Sequence, residues 1–348
     1  MFLVLCFGMK NFLACFSICL LLIISSSVAV AEDRGVSVYF DQDLFVPLLN
    51  EDRDYTMGFA IEMFNKKGTN IFDGVLCNLA QHFKLNCSNN NAERSYVLGT
   101  VNYTPDDISS NLPIQDDRPY ASLVYFSNKR VIADGDSAIG VELQVGFLGL
   151  KFGEEFQDYF HKRWRDASGN NTPVDPRGWR NQISDGGEAT LRFRLSNLQV
   201  LKNRHQSKDK FDYAWMWDAA VGYQTNASTG LMARAGKIRS SIWTVPYDPI
   251  NRGDFLPSTG GSEWYFWVAG RTRLIGYDAL LQGQFRNSHV TFNSREIKRL
   301  VFEGAFGITA GDGPFQVTFA VNAKSSEVRH GSANRNHYWG GLYLMYRY

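Results

Sequence analysis

The last eleven residues of the chain, YWGGLYLMYRY, alternate strictly between two faces. One face is aliphatic in its middle and aromatic at both ends, because it carries Tyr338, Gly340, Leu342, Leu344, Tyr346 and Tyr348. A side-chain period of two indicates a β-strand. An apolar band between aromatic ends is typical of a barrel strand that crosses a bilayer, with an aromatic girdle at each interface. The end of the chain therefore predicts a transmembrane β-barrel.

The same alternation recurs along the chain. In one segment, Leu191, Phe193 and Leu195 alternate with Arg192 and Arg194. A soluble sandwich alternates too, but it turns its polar face outward to water. Here aromatic residues make up 14% of the chain, and the charged face suits a wet lumen, which favours the membrane barrel. We predict an all-β, antiparallel transmembrane barrel in the bacterial outer membrane, with about twelve strands at 34–41, 55–64, 94–103, 121–132, 138–148, 188–200, 212–224, 228–237, 263–274, 299–310, 314–324 and 338–348.

Two details of this strand assignment can be checked directly. In the second strand, alternation places Tyr55 on the same face as Met57 and Phe59. Strict up-and-down alternation from a periplasmic N-terminus places the long connection 238–262 at the periplasmic end. Long loops of such barrels usually lie outside the cell, so this connection conflicts with the usual pattern.

Residues 1–31 have the features of a signal peptide. Lys10 supplies a positive charge, residues 12–24 form an apolar run, and Ala29-Val30-Ala31 is a small-residue cleavage site. A membrane anchor is the alternative, but the run is short for a span of ~20 residues, and serines follow it. We therefore predict a signal peptide followed by one barrel domain, 32–348.

Charge and cysteine content narrow the classes of partner. The formal net charge of +1 argues against binding to nucleic acid or another polyanion. Two cysteines remain after the signal peptide, Cys77 and Cys87. In an exported protein they are expected either to form a disulfide across a short loop or to stay as buried thiols. We expect a monomer in contact with outer-membrane lipid.

One segment, GEEFQDYFHKRWRD, has the periodicity of an amphipathic helix. We predict a short extracellular-loop helix near 153–165. Gln157 and His161 lie four residues apart in it, so they share one face. Neutral His161 is a candidate general base that activates water, and Gln157 could hold that water or the substrate. The alternative is that His161 is a surface or packing residue.

Three further polar clusters are expected at the extracellular rim where this helix lies. Asp41 and Asp43 fall on the face opposite Val38 and Phe40, so we expect both on the lumen side. With Gln42 and Thr56 they offer the hard oxygen ligands that Ca²⁺ prefers. Arg118, in DDRPYA, could bind a phosphate. The alternatives are that the two aspartates only solvate the rim and that DDRPYA is only a turn.

An ordered set of short motifs resembles the outer-membrane lipid A 3′-O-deacylase family. The set comprises Gln42-Asp43, DRDYTMG at 52–58, DRPYA at 117–121, GEEFQ through His161, and GWRNQ at 178–182. The resemblance implies a twelve-stranded barrel with a Ca²⁺-dependent site between its wall and an extracellular helix. It implies His161 as the base beside Gln157, with Asp43 and Thr56 building the metal and substrate site. The substrate would be lipid A of lipopolysaccharide, which would lose its 3′ acyloxyacyl group. The family has Asn where this chain has Gln42.

Two other functions fit parts of the sequence. His330-Gly331-Ser332 has the spacing of the His and Ser that outer-membrane phospholipase A carries on a barrel strand, and it predicts an essential Ser332. A non-enzymatic narrow channel or surface barrel would need no catalytic group at all. In that case lumen residues such as Glu142, Gln144, Arg192 and Arg194 simply fill the interior.

Overall fold

Twelve antiparallel strands close into one barrel in the computed structural model, which describes residues 34–46, 53–65, 78, 92–134, 136–168, 174–202, 211–245 and 261–348. Each strand pairs with its neighbours in sequence, and β1 pairs with β12 to close the sheet. The strands are Arg34–Gln42 (β1), Asp54–Asn65 (β2), Ala92–Thr104 (β3), Ala121–Asp134 (β4), Ser137–Leu148 (β5), Glu188–Lys202 (β6), Phe211–Gly222 (β7), Gln224–Lys237 (β8), Glu263–Asp278 (β9), Leu300–Asp312 (β10), Phe315–Lys324 (β11) and His337–Arg347 (β12).

The barrel, its strand number and its alternation are confirmed. Along β12 the predicted outward residues Leu342 and Leu344 are 36% and 45% exposed, whereas Tyr343 and Met345 between them are buried. Alternation fails at the start of β2, where the pairing with β3 shifts between Tyr55 and Met57. This β-bulge turns Tyr55 into the lumen, where its hydroxyl donates to Asp41 (3.0 Å). The prediction that Tyr55 shares the face of Met57 is therefore wrong.

The lumen is filled by paired charges. Arg194 donates to Glu142 (3.0 Å), and Lys129 lies 2.8 Å from Glu62. Tyr39 donates to the same glutamate (2.7 Å). Charges in a poorly solvated interior are stable only when they are paired and hydrogen-bonded, which explains these contacts between strands.

The segment after β8 folds into one mouth of the barrel. Its residues Ile238, Ile242 and Val245 are buried in the core, and Trp243 packs against Val131 and Ala138 of β4 and β5. We call residues 238–245 the plug. The described part of the long connection 238–262 thus lies inside the barrel end, which resolves its conflict with the usual loop pattern.

Arg234 of β8 anchors the plug. Its guanidinium donates to both carboxylate oxygens of Asp212 (3.0 and 2.7 Å) and to the carbonyls of Ser240 (2.9 Å) and Ser241 (3.0 Å). Glu263 accepts from the backbone N–H groups of Arg239 and Ser240, both at 2.9 Å. The planar fork of an arginine suits such simultaneous contacts.

Two α-helices lie at the opposite mouth, which we call the loop rim because β1 ends and β2 begins there. The longer, α1 (Phe152–Ser168), connects β5 to β6 and confirms the predicted helix near 153–165. The shorter, α2 (Ala279–Gln282), follows β9. Within the described ranges, neither helix is long and apolar enough to cross a membrane. The predicted signal peptide 1–31 and both Cys77 and Cys87 lie outside the described residues.

Candidate active site

Helix α1 packs against the outer surface of the barrel wall at a glycine. A Cβ added to Gly153 would lie 2.5 Å from Oδ1 of Asn102 and 2.9 Å from Cβ of Ser122. It would also lie 2.8 Å from the ring of Trp179. No real Cβ tolerates such distances, so only glycine lets α1 approach β3 and β4 this closely. This contact explains the glycine of the GEEFQ motif.

Gln157 is held in place by the GWRNQ segment. Its side chain is fully buried, and its Oε1 accepts a hydrogen bond from Nε1 of Trp179 (2.8 Å). The Trp179 ring packs on Tyr120 of the DRPYA motif, with ring centroids 4.8 Å apart. Gly178 permits this packing, because its added Cβ would lie 2.4 Å from the Tyr120 ring. Three motifs that are far apart in sequence therefore meet around one glutamine amide.

The tautomer of His161 is fixed by a backbone contact. Its Nδ1 lies 2.8 Å from the carbonyl oxygen of Val174. A carbonyl oxygen can only accept, so Nδ1 carries the proton and the neutral ring has its basic lone pair on Nε2. His161 is 9% exposed, so the ring is shielded from bulk water but not sealed from it. This arrangement orients the Nε2 lone pair, as a general base would require, one helical turn after Gln157.

The oxygen-rich cluster lies where β1 ends and β2 begins. Gln42 pairs with Met57 across the two strands, so Asp43 follows directly opposite the bulge that contains Thr56. Asp43 is buried, and its Oδ1 accepts from Nε2 of Gln42 (3.2 Å). The hydroxyl of Thr56 lies 2.6 Å from that of Thr104. The structure thus brings three of the predicted residues, Gln42, Asp43 and Thr56, to one corner of the loop rim.

Asp41 lies apart from this corner, inside the lumen. Its two carboxylate oxygens accept from the hydroxyls of Tyr55 (3.0 Å) and Tyr343 (2.9 Å). The aspartate is fully buried. Its role in the structure is to join β1, β2 and β12 across the barrel interior.

Arg118 also lies inside the barrel mouth. It donates to Glu327 (2.8 Å), stacks 4.1 Å above the ring of Tyr103, and is 2% exposed. Burial is the largest single influence and alone would lower the pKa of Arg118, but Glu327, Tyr103 and Asp54 together outweigh it and raise that pKa. The guanidinium is therefore committed to an internal ion pair, away from the surface where a lipid phosphate would bind.

The loop rim does bring the predicted polar clusters together. Arg335, in the loop between β11 and β12, donates to Asp54 at the start of β2 (2.8 Å) and to Asp117 of DRPYA (2.6 Å). Farther round the rim, the backbone N–H of Ser184 donates to Ser288 (3.0 Å). The predicted convergence of the polar clusters at one rim is therefore present. The ion pairs that produce it mainly hold loops and strand ends together.

The oxygen atoms of Asp43, Gln42 and Thr56 are of the kind that a hard cation binds, and Asp43 supplies the one carboxylate among them. Among the residues that the structure describes, no group of three or more His, Cys, Asp or Glu side chains could hold a metal ion. Ca²⁺ takes ~6–8 oxygen ligands, and amides, hydroxyls and water can supply most of them. Asp43 would provide the charge, with neutral oxygens of Gln42 and Thr56 beside it. Such a donor set fits a weakly held Ca²⁺.

The two rival functions find little support in the geometry. His330 and Ser332 lie in the exposed loop between β11 and β12 rather than on a strand, and the Ser332 hydroxyl donates to the carbonyl of Asp116 (3.3 Å). A channel would need an open lumen, whereas Glu142, Gln144, Arg192 and Arg194 are buried and bonded to one another in the barrel interior. The plug also narrows the lumen at the mouth opposite the loop rim.

Sequence reasoning assigned no role to three residues that shape the site. Trp179 holds Gln157, and the buried side chains of Asn102 and Ser122 lie beneath the start of α1. Trp179 could have been found from the sequence, because it belongs to the GWRNQ motif. Asn102 and Ser122 carry no such signal, because their position depends on which strands α1 covers.

The fold is a closed twelve-stranded barrel, and a buried histidine and glutamine lie between its outer wall and a loop helix. These features define the class as an outer-membrane barrel with a polar site on its outer surface. The chain belongs to the LpxR family: the family model described as "Outer membrane protein LpxR" matches residues 15–348. It is accordingly a protein of the bacterial outer membrane.

One solved structure supports the fold. LpxR from Salmonella typhimurium is similar with a TM-score of 0.65 and 13% identity, covering 90% of this chain and 100% of that chain. An outer-membrane channel from Pseudomonas putida F1 has a TM-score of 0.43 and 10% identity, over 92% of this chain and 97% of its own. No curated protein matches the sequence.

Proposed function

We propose that the protein is a lipid A 3′-O-deacylase, which hydrolyses the ester of the 3′ acyloxyacyl group with a water molecule activated by His161. The observation that carries this proposal is the contact between Nδ1 of His161 and the Val174 carbonyl at 2.8 Å. It orients a basic Nε2 beside Gln157, on the outer wall of a barrel of the LpxR family. The loop rim would then lie at the cell surface, where the substrate resides.

The reaction needs one proton relay. Nε2 of His161 removes a proton from water while the water oxygen attacks the acyl carbon of the ester. The ester C–O bond then breaks, and the imidazolium returns the proton to the departing sugar oxygen. The products are lipid A with a free 3′ hydroxyl and a free acyloxyacyl acid. Gln157, fixed through its Oε1 by Trp179, would position the water or the substrate.

We propose Ca²⁺ as the cofactor of this reaction. Asp43 would supply the carboxylate ligand, with neutral oxygens from Gln42 and Thr56. Bound there, the ion would offer positive charge to the carbonyl oxygen of the ester as negative charge develops. Asp41 and Arg118 are not part of the proposed site, because Asp41 binds Tyr55 and Tyr343 and Arg118 binds Glu327.

The test is a reaction of the purified, folded barrel in detergent with hexa-acylated lipid A. Released acyloxyacyl acid is quantified by mass spectrometry as Ca²⁺ is titrated with a chelator. The proposal predicts release that depends on Ca²⁺ and is lost in Asp43→Asn, while calcium binding measured by calorimetry is weakened in the same variant. Release that is unchanged in excess chelator would contradict the role of Ca²⁺, and release from an amide-linked position would contradict the reaction.

A further inference from the structure

Five phenylalanines form a continuous row between α1 and the outer wall of the barrel. On the helix, Phe152, Phe156 and Phe160 follow at intervals of four residues, with ring centroids 5.6 and 5.0 Å apart. The row continues from Phe160 to Phe40 of β1 (6.1 Å) and from Phe40 to Phe45 (5.5 Å). These spacings are those of aromatic rings in contact. We call this set the aromatic row.

The aromatic row joins the lipid-facing surface of the barrel. Phe40 points outward, since Tyr39 and Asp41 on either side of it point into the lumen. Its partners on the neighbouring strands are Phe59 and Leu342, and Leu342 is 36% exposed on the outer wall. An apolar surface therefore runs without interruption from the wall of β12 and β1 to the helix.

The row is open where it passes the proposed base. Phe160 lies on the same side of α1 as Gly153 and Gln157, which pack on the wall, yet 39% of its surface remains exposed. Exposed aromatic surface therefore remains at this level of the helix, and His161 is the next residue in the chain. Exposed apolar surface next to a polar site is typical of ligand-binding grooves.

We propose that the aromatic row is the acyl-chain subsite of the enzyme, which holds the acyl chain of the lipid while its ester lies at His161. This inference rests on the proposed function and names the part of the substrate that the helix recognises. An acyl chain is the occupant that fits, because the row presents only aromatic rings and opens onto the membrane-facing wall. Each methylene that enters such a surface is expected to raise kcat/KM by up to about fourfold.

The first experiment compares a short-chain and a long-chain 3′ ester in wild type, Phe160→Ala and Phe40→Ala. The matched control is Phe306→Ala, since Phe306 is 60% exposed on the outer wall of β10, three strands from β1. We expect wild type and the control to prefer the long chain through a lower KM. The two row variants should lose that preference because their KM for the long chain rises toward the value for the short chain. An unchanged preference in both row variants would overturn the subsite.

A bulkier side chain provides the opposite change. Phe160→Trp keeps the row apolar but adds bulk to its exposed surface, so it should shift the preference toward the shorter chain instead of abolishing activity. A variant that only damaged folding would lower both rates together. If Phe160→Trp left the chain-length preference as in wild type, the aromatic row would not be where the chain binds.

The second experiment does not depend on turnover. In the inactive variant His161→Gln, a lipid A with a photoreactive diazirine in its 3′ acyl chain is cross-linked and the labelled peptides are mapped. Enrichment of label in residues 152–160 and at Phe40 supports the subsite, even if the hydrolytic function proposed above fails. Label spread over the outer wall in proportion to exposure would refute it, whatever the wild-type enzyme hydrolyses.

Discussion

The indole N–H of Trp179 donates a 2.8 Å hydrogen bond to Oε1 of Gln157, and both side chains are almost completely buried. This bond couples the loop that follows α1 to the helix face that carries His161. Because Oε1 is occupied as an acceptor, the amide N–H groups of Gln157 have a defined direction. The proposed site therefore depends on Trp179, a residue that contacts Gln157 and not the substrate itself.

Trp179→Phe tests this coupling. The change removes the indole donor to a buried amide oxygen, a loss that costs about 1–3 kcal/mol. We expect deacylation to fall by about tenfold or more, because Gln157 loses the bond that orients its Oε1, while the barrel remains folded. The matched control is Trp215→Phe, which removes an indole bond of the same length (2.8 Å, to Thr229) on the exposed wall. Equal losses in the two variants would show that the bond to Gln157 has no special role.

Gly153→Ala tests the close approach of α1 to the wall. The added methyl group would meet Asn102, Ser122 and Trp179 within 2.9 Å, so the helix must shift outward. We expect a large loss of activity and a destabilisation of about 1–3 kcal/mol, the usual cost of overpacking. Glu155→Ala, on the exposed side of the same turn, is the control and should stay near wild type. Full activity in Gly153→Ala, assayed by release of the acyl acid, would mean that the helix position is not critical.

Glu327→Gln tests the ion pair that holds Arg118. Burial alone would raise the pKa of Glu327, but Lys324 and Arg118 outweigh it and lower the pKa below the ordinary value of 4.5. A carboxyl whose pKa is lower in the folded state contributes stability that is complete above the unfolded pKa and is lost as the pH falls below it. We expect Glu327→Gln to be less stable than wild type at neutral pH and the difference to shrink in acid. Urea unfolding in detergent at several pH values measures this, and a constant difference would contradict it.

Arg234→Ala tests the plug. Removing the guanidinium breaks its bonds to Asp212, Ser240 and Ser241, so residues 238–245 should leave the barrel mouth. We expect chymotrypsin to cleave this segment faster than in wild type, with deacylation retained because the plug and the site lie at opposite ends. Lys237→Ala, an exposed neighbour, should be cleaved at the wild-type rate. Cleavage that stays at the wild-type rate in Arg234→Ala would show that other contacts hold the plug in the barrel mouth.

Sequence patterns predicted the barrel well because each strand carries its own signal. The alternation of polar and apolar side chains depends only on which face of the sheet contacts water, so β12 and the other strands could be placed within a few residues. The pairing of Gln157 with His161 was visible for a similar reason, since helical spacing alone puts them on one face. These are local properties, and local properties can be read from one sequence.

The remaining features depend on contacts between distant segments. Asp41 and Asp43 were grouped together from their spacing, but the strand ends between them, and the bulge at Tyr55 supplies a lumen partner for Asp41. Arg118 looked available for phosphate until Glu327, more than 200 residues later, was placed against it. Partners at such separations leave no trace in the periodicity of either segment.

The most direct test of the central claim is mass spectrometry of lipid A from one host that expresses wild type, His161→Gln or Ser332→Ala, with each barrel shown to be folded in the outer membrane. General-base catalysis contributes about 10²–10⁴ in rate, so loss of His161 should be decisive. We predict loss of the 3′ acyloxyacyl group with wild type and Ser332→Ala, and intact lipid A with His161→Gln. Intact lipid A with folded wild type, or deacylation that requires Ser332 and not His161, would contradict the account.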